Sequence, residues 1–183
     1  MNRVGTFNEA LTIFFVAIFL IGVVITIKVY LNKKKEKVQK QVQLIKEFKN
    51  FIPKLADNFG SIWLISKGKS KNPERVFCIL GKIFKYSENA VILNWWQSFS
   101  KGYEVWNEST YREKSNVFLV LLNECGLVCG DIQVKAPENY EELYTYTEDV
   151  FTGIAIEVVM PYWYYEGRII EMGFIKVLKE SKL

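Results

Sequence analysis

The stretch "ALTIFFVAIFLIGVVITIKVYLNKKKEK", residues 10–37, decides how the rest of the chain is read. Eighteen consecutive residues, Ala10 to Ile27, carry no charge, and a lysine cluster follows. A helix rises about 1.5 Å per residue and a hydrocarbon layer is about 30 Å thick, so about 20 apolar residues make one crossing. Ala10 to Leu31 offers 22, with Lys28 the one charge among them. Phe14, Phe15, Ile18, Phe19, Leu20, Val23, Val24 and Ile25 cover every face of such a helix, whereas a soluble core helix keeps a polar stripe. Lys28 lies where its stem can reach a headgroup layer, and Tyr30 suits an interface. The segment is too long for a cleaved signal and has no small-residue cleavage motif before "IKVYLNKKKEK". The expectation is a single-pass transmembrane anchor over residues 1–31.

Charge asymmetry then orients it. Arg3 is the one basic residue before the span, while Lys28, Lys33, Lys34, Lys35, Lys37 and Lys40 lie in or after its end. The positive-inside rule places the C-terminal domain in the cytoplasm, at the membrane of a cell or of a virion. Lys33, Lys34, Lys35, Lys37 and Lys40 are the expected membrane-surface residues, with the lipid bilayer as a partner, at about 1 kcal/mol per basic residue near anionic lipid. The overall charge of +4 conceals this division. Residues 1–54 hold ten Lys plus Arg against three acids, whereas residues 55–183 hold fourteen against seventeen. An acidic domain excludes nucleic acid from the expected partners.

The seam Val42, Ile45, Phe48, Ile52, Leu55 and Phe59 advances in steps of three and four, so one helix is expected from about Phe7 to Ile52, ended or kinked by Pro53. Its second half, residues 32–57, is basic and amphipathic. About three heptads of seam can serve a coiled coil or dock on the chain's own domain, and docking is the reading preferred here. Residues 58–183 then form one α+β domain. In it "SIWLIS", "RVFCILGKIFKY" and "NAVILNWWQSF", rich in β-branched and aromatic residues, read as strands. "NESTYREKSNVFLVLLNECGLV" reads as a helix capped by Ser109 or Thr110, with Val117, Val120, Leu121 and Cys125 on its apolar face. "DIQVKAPENYEE" reads as loop and "FTGIAIEVVMPYW" as a half-buried strand, while "RIIEMGFIKVLKE" fits a strand or a helix. The sum is an antiparallel sheet with one or two packed helices, the α+β class.

Chemistry is thinly represented. There is no histidine, the commonest general base and metal ligand. Cys78, Cys125 and Cys129 are an odd number and make no disulfide framework. In "ECGLVCG", Cys125 and Cys129 would share one helix face, but a metal site needs further ligands, and burial of small apolar thiols is the plainer reading. Glu141, Glu142, Glu148 and Asp149 have no spacing that sets two acids across a cleft. "SKGKSKNPE" lacks the context of a phosphate loop. No catalytic, cofactor or metal residue is assigned. The aromatic clusters "NWWQ" and "MPYWYYEG" are the candidate interface: Trp95 and Trp96, on opposite faces of a strand, with Tyr162, Trp163, Tyr164 and Tyr165.

The order of "LIKEFKNFIPKL", "NFGSIWLIS", "NECGLVCGDI" and "YTYTEDVFTGIAIEVVMPY", residues 44–165, resembles that of tail-completion, or tail-terminator, proteins of tailed phages. The resemblance implies a small α+β subunit without an active site that assembles as a ring; the apolar N-terminal segment departs from that family. Type IV pilin-like proteins also open with an apolar helix, but here Glu9 follows Gly5 by four residues and the lysines would lie on the translocated side. The expected function is thus a non-enzymatic, membrane-anchored assembly or scaffold protein that binds partner subunits and forms a homo-oligomer. A membrane-anchored enzyme or effector, or a pilin-like subunit, is the alternative.

Overall fold

A computed structural model describes the backbone of residues 3–130 and 135–178 and, within these, the side chains from Phe19 onward. The chain is α+β. Its elements are α1 (Arg3–Phe51), α2 (Phe59–Ser66), α3 (Pro73–Lys85), α4 (Ala90–Phe99), α5 (Glu108–Glu124), β1 (Val128–Cys129), α6 (Tyr140–Leu143), β2 (Tyr144–Thr145), β3 (Ile156–Met160), β4 (Trp163–Tyr165), β5 (Arg168–Glu171) and β6 (Gly173–Val177). Two compact units divide the chain, Met1–Gln43 and Leu44–Leu183.

In the first unit every described side chain, from Phe19 to Gln43, is exposed. Its apolar run is described from Phe19 to Leu31, thirteen residues, because the side chains of residues 10–18 lie outside the described ones. Among the described residues no helix is long and apolar enough to cross a membrane. This corrects the expected anchor, and with it the single-pass membrane location and the cytoplasmic side deduced from it.

The second unit is built on an apolar seam that begins where α1 ends. Phe48, Ile52, Leu55 and Phe59 are fully buried and Ile45 is half-buried, so the seam docks on its own unit from Ile45 onward. Pro53 lies in a short 3₁₀ turn, Ile52–Leu55, that closes the helix.

Three segments expected to be strands are helices. In α3, Asn72 accepts a hydrogen bond from the Arg75 N–H, Pro73 occupies the first turn, and Phe77, Leu80 and Phe84 are buried at steps of three and four. In α4, Asn89 accepts from the Val91 and Ile92 N–H groups, and Ile92, Trp96 and Phe99 are buried. In α2, Phe59, Ile62 and Ile65 form the buried face. A periodicity near 3.6 in all three, and an asparagine cap in α3 and α4, overrode the β-propensity of the individual residues. Helix α5 is where expected, but Asn107 caps it; its buried residues are Tyr111, Ser115, Phe118, Leu121 and Leu122, with Cys125 at its end, so Leu121 and Cys125 are buried as expected while Val117 and Val120, expected on the same apolar face, point outward.

The sheets are smaller than expected. β1, β4 and β5 form one antiparallel sheet, and β2, β6 and β3 the other, with β2 parallel to β6. The pairing of β3 with β6 carries on into that of β4 with β5, interrupted by two register shifts. One long hairpin therefore underlies both sheets. Its turn, Glu166–Gly167, has φ of 49° and 82°. Two left-handed residues are what a two-residue type I′ connection requires, and glycine at the second makes it accessible.

The hairpin is tied to the helices by one carboxylate. Glu171 of β5 accepts from the Phe59 N–H at 2.7 Å and the Gly60 N–H at 2.9 Å, satisfying two donors at the start of α2. A Cβ on Gly60 would stand 2.8 Å from the Glu171 carboxylate oxygen, so a side chain there would have to displace that carboxylate. Burial pushes the Glu171 carboxyl above its ordinary 4.5; the two N–H groups oppose the rise and Asp57 adds to it. An acid whose folded value is raised binds its proton more tightly when folded. Its contribution to stability is therefore fully present below about pH 4.5 and lost as pH rises through the folded value. Glu171→Gln cannot titrate, so the unfolding free energy of the wild type, measured relative to that variant by denaturant titration, should fall as pH is raised from about 4. A flat or rising difference contradicts this assignment.

Candidate protein-contact surfaces

The second unit is filled by rings. Phe84 and Trp96 stack with centroids 4.4 Å apart and planes 8° apart; Trp95 and Phe99 stack at 4.6 Å. Phe48 stands edge-on to Trp95 at 4.8 Å and lies within 6.3 Å of Phe118. Phe77 joins Trp106 and Tyr111 at 5.3 and 5.4 Å. Lys114 covers the rim, its ammonium 5.2 Å from the Phe99 ring and 5.3 Å from that of Trp106. A smaller core of Ala136, Leu143, Tyr144, Ile156 and Ile175 lies under the second sheet.

The six aromatic residues singled out from the sequence fall in different environments. Trp95 and Trp96 lie on α4 and not on a strand, so adjacency does not send them to opposite faces; Trp96 is buried and Trp95 half-buried in the same ring cluster. Trp163 and Tyr165 face the main core, and the Tyr165 hydroxyl donates to the Lys49 carbonyl at 3.1 Å. Tyr162 is half-buried, edge-on to Tyr144 at 5.4 Å. Tyr164 is the exposed one of the six, across the strand pair from exposed Val128. Strand alternation explains the split: Trp163 and Tyr165 share one face and Tyr164 the other.

Lys33, Lys34, Lys35, Lys37 and Lys40 are exposed along α1, where Lys40 pairs with Glu36 at 3.8 Å. Glu141, Glu142, Glu148 and Asp149 are exposed as well. Cys125 and Cys129 do not share a helix: Cys125 ends α5 and Cys129 lies in β1. The Cys125 thiol contacts the Ile45 carbonyl at 3.8 Å, and burial pushes it up to about 11, with Lys49 opposing and Glu124 reinforcing. A thiol held protonated at neutral pH is a poor nucleophile and metal ligand. Among the described residues no cluster of three or more His, Cys, Asp or Glu could hold a metal ion. A groove of about 360 Å³ beside the start of α4 is lined by Glu47, Asn50, Lys54, Tyr86, Glu88 and Asn89. Its amide and carboxylate already serve the fold: the Asn89 Nδ2 donates to the Glu47 Oε2 at 2.6 Å while its Oδ1 caps the helix.

Among the exposed apolar residues, Val117 and Val120 were expected on the apolar face of α5, while Phe151 and Met172 were not singled out from the sequence. Val117 and Val120 share the outer face of α5, Phe151 is 63% exposed before β3, and Met172 is exposed between β5 and β6. For Val117 and Val120 the signal was available in the helical phase, which sets them opposite Phe118 and Leu122. No family model matches the chain, and neither a curated protein nor a solved structure matches it.

Trp96→Ala should cost about 3 to 5 kcal/mol, enough to abolish the melting transition of a marginally stable domain. Tyr164→Ala should leave the transition within a few degrees of wild type. Calorimetry on both variants checks the placement; equal losses contradict it.

Proposed function

We propose that this chain is a non-enzymatic assembly subunit that associates with further copies of itself and with partner subunits. One observation carries the reading: between Phe19 and Gln43 no described side chain is buried, although Phe19, Leu20, Ile21, Val24, Ile25, Ile27 and Leu31 are among them and each is about half exposed or more. Apolar surface of that extent on a folded chain marks a surface that another molecule covers. Apolar residues around the whole circumference suit a bundle of several copies better than a two-helix seam. The resemblance of residues 44–165 to tail-completion subunits, which assemble as closed rings, supports the same reading. Tyr164, Val128, Val117 and Val120 supply additional exposed apolar surface on the second unit.

Sedimentation of the intact chain at micromolar concentration should show an oligomer. Ile21→Glu, Val24→Glu and Ile25→Glu together should weaken association at least tenfold, the equivalent of about 1.4 kcal/mol, without altering the melting of the second unit. A wild-type chain that sediments as a monomer rejects the reading.

A further inference from the structure

The outer edge of β5 is open. Along the long hairpin, β4 occupies one side of β5, and β2 occupies the far side of β6 at Gly173 and Phe174. Among the described residues no strand pairs with that far side at β5, and no other backbone group bonds Ile169 or Ile170. A groove of about 480 Å³ lies there, lined by Asp57, Ile169, Ile170, Glu171 and Met172. Alternate strand residues point to opposite faces, so a groove on one face would touch every second residue. Contact with four in succession places it along the edge itself, where backbone donors and acceptors face outward.

We propose that this edge takes an extended segment of a partner protein, added as a strand beside β5, with apolar side chains against Ile169, Ile170 and Met172 and a lysine or arginine toward Asp57. Two features fix that chemistry. First, β2 already pairs with the same edge one step further along, so its geometry accepts a strand. Second, both ionisable residues lining the groove are acids: the Glu171 oxygens are engaged by α2, and exposed Asp57 remains to meet a cation. The same charges oppose a second copy of β5, which would bring its own Asp57 and Glu171 to the contact. The inference names one partner surface for the assembly reading and rests on it to that extent.

The test uses the full chain and a labelled, acetylated hexapeptide of alternating valine and lysine, with fluorescence anisotropy for affinity and hydrogen–deuterium exchange for location. Saturable binding is expected, with new protection confined to the segment containing residues 169–172. Methylating alternate peptide amides, or replacing each lysine with glutamate, should weaken binding at least tenfold. Asp57→Asn keeps a residue that tolerates the observed φ of 70° and should weaken it several-fold. Binding indifferent to amide methylation or to Asp57→Asn, protection elsewhere, or no binding overturns the proposal, as does an edge already protected in the free chain by self-pairing. Oligomer size, read separately by sedimentation, tests the assembly reading alone: an oligomer that ignores the peptide rejects the edge site and leaves that reading standing.

Discussion

The second unit depends on the packing of Phe48. Its ring meets Phe51 on its own helix, Phe84 on α3, Trp95 on α4 and Phe118 on α5, all within 6.3 Å. Side chains of four helices of different length meet at one fully buried ring. Aromatic pairs in tilted and edge-on arrangements add about 0.5 to 1.5 kcal/mol each beyond their buried area, and rings bring more area per residue than aliphatic chains. A short helix such as α2 or α4 cannot stand alone in water, so its existence follows from docking on this cluster.

The hairpin is the second layer, and it reaches the helices through few groups. Trp163 and Tyr165 turn inward to the ring cluster, the Tyr165 hydroxyl bonds the last turns of α1, and Glu171 holds the start of α2. Because inward and outward residues alternate, the constraints that fix Trp163 and Tyr165 also present Tyr164 to solvent. The tie at Glu171 has a corresponding effect: its carboxylate is committed to α2 while the β5 backbone beside it stays open. Fold and proposed contact surface thus share the same few residues.

Much of the helical architecture was legible once the right signal was weighed. The seam from Ile45 to Phe59 was readable as periodicity, and its docking followed. "NPE" before "RVFCILGKIFK" and "SEN" before "AVILNWWQSF" are start signals with Asn72 and Asn89 as caps, yet the wealth of Val, Ile, Phe and Trp argued for strands. Those residues are β-prone on a half-buried pleated surface, but three- and four-residue steps with a cap in front outweigh that preference. "RIIEMGFIKVLKE" was ambiguous because two strands in different sheets meet at Met172, so neither a single alternation nor a helical period runs through it. The open edge of β5 was not legible at all. Which strand lies at an edge is decided by pairing between distant segments, and no local pattern encodes it. The apolar run before the lysine cluster was read as a transmembrane anchor, and that reading is corrected: among the described residues no helix is long and apolar enough to cross a membrane.

Site-resolved hydrogen exchange on the Phe48→Leu variant tests most directly whether this ring cluster holds the second unit together. Native-state exchange separates local from global opening. If Phe48 is the common contact of α1, α3, α4 and α5, protection should fall in all four helices by a similar free energy, and with it in β4, which packs on them through Trp163 and Tyr165. Loss confined to the end of α1, with α3, α4, α5 and the hairpin protected as in the wild type, would contradict the account.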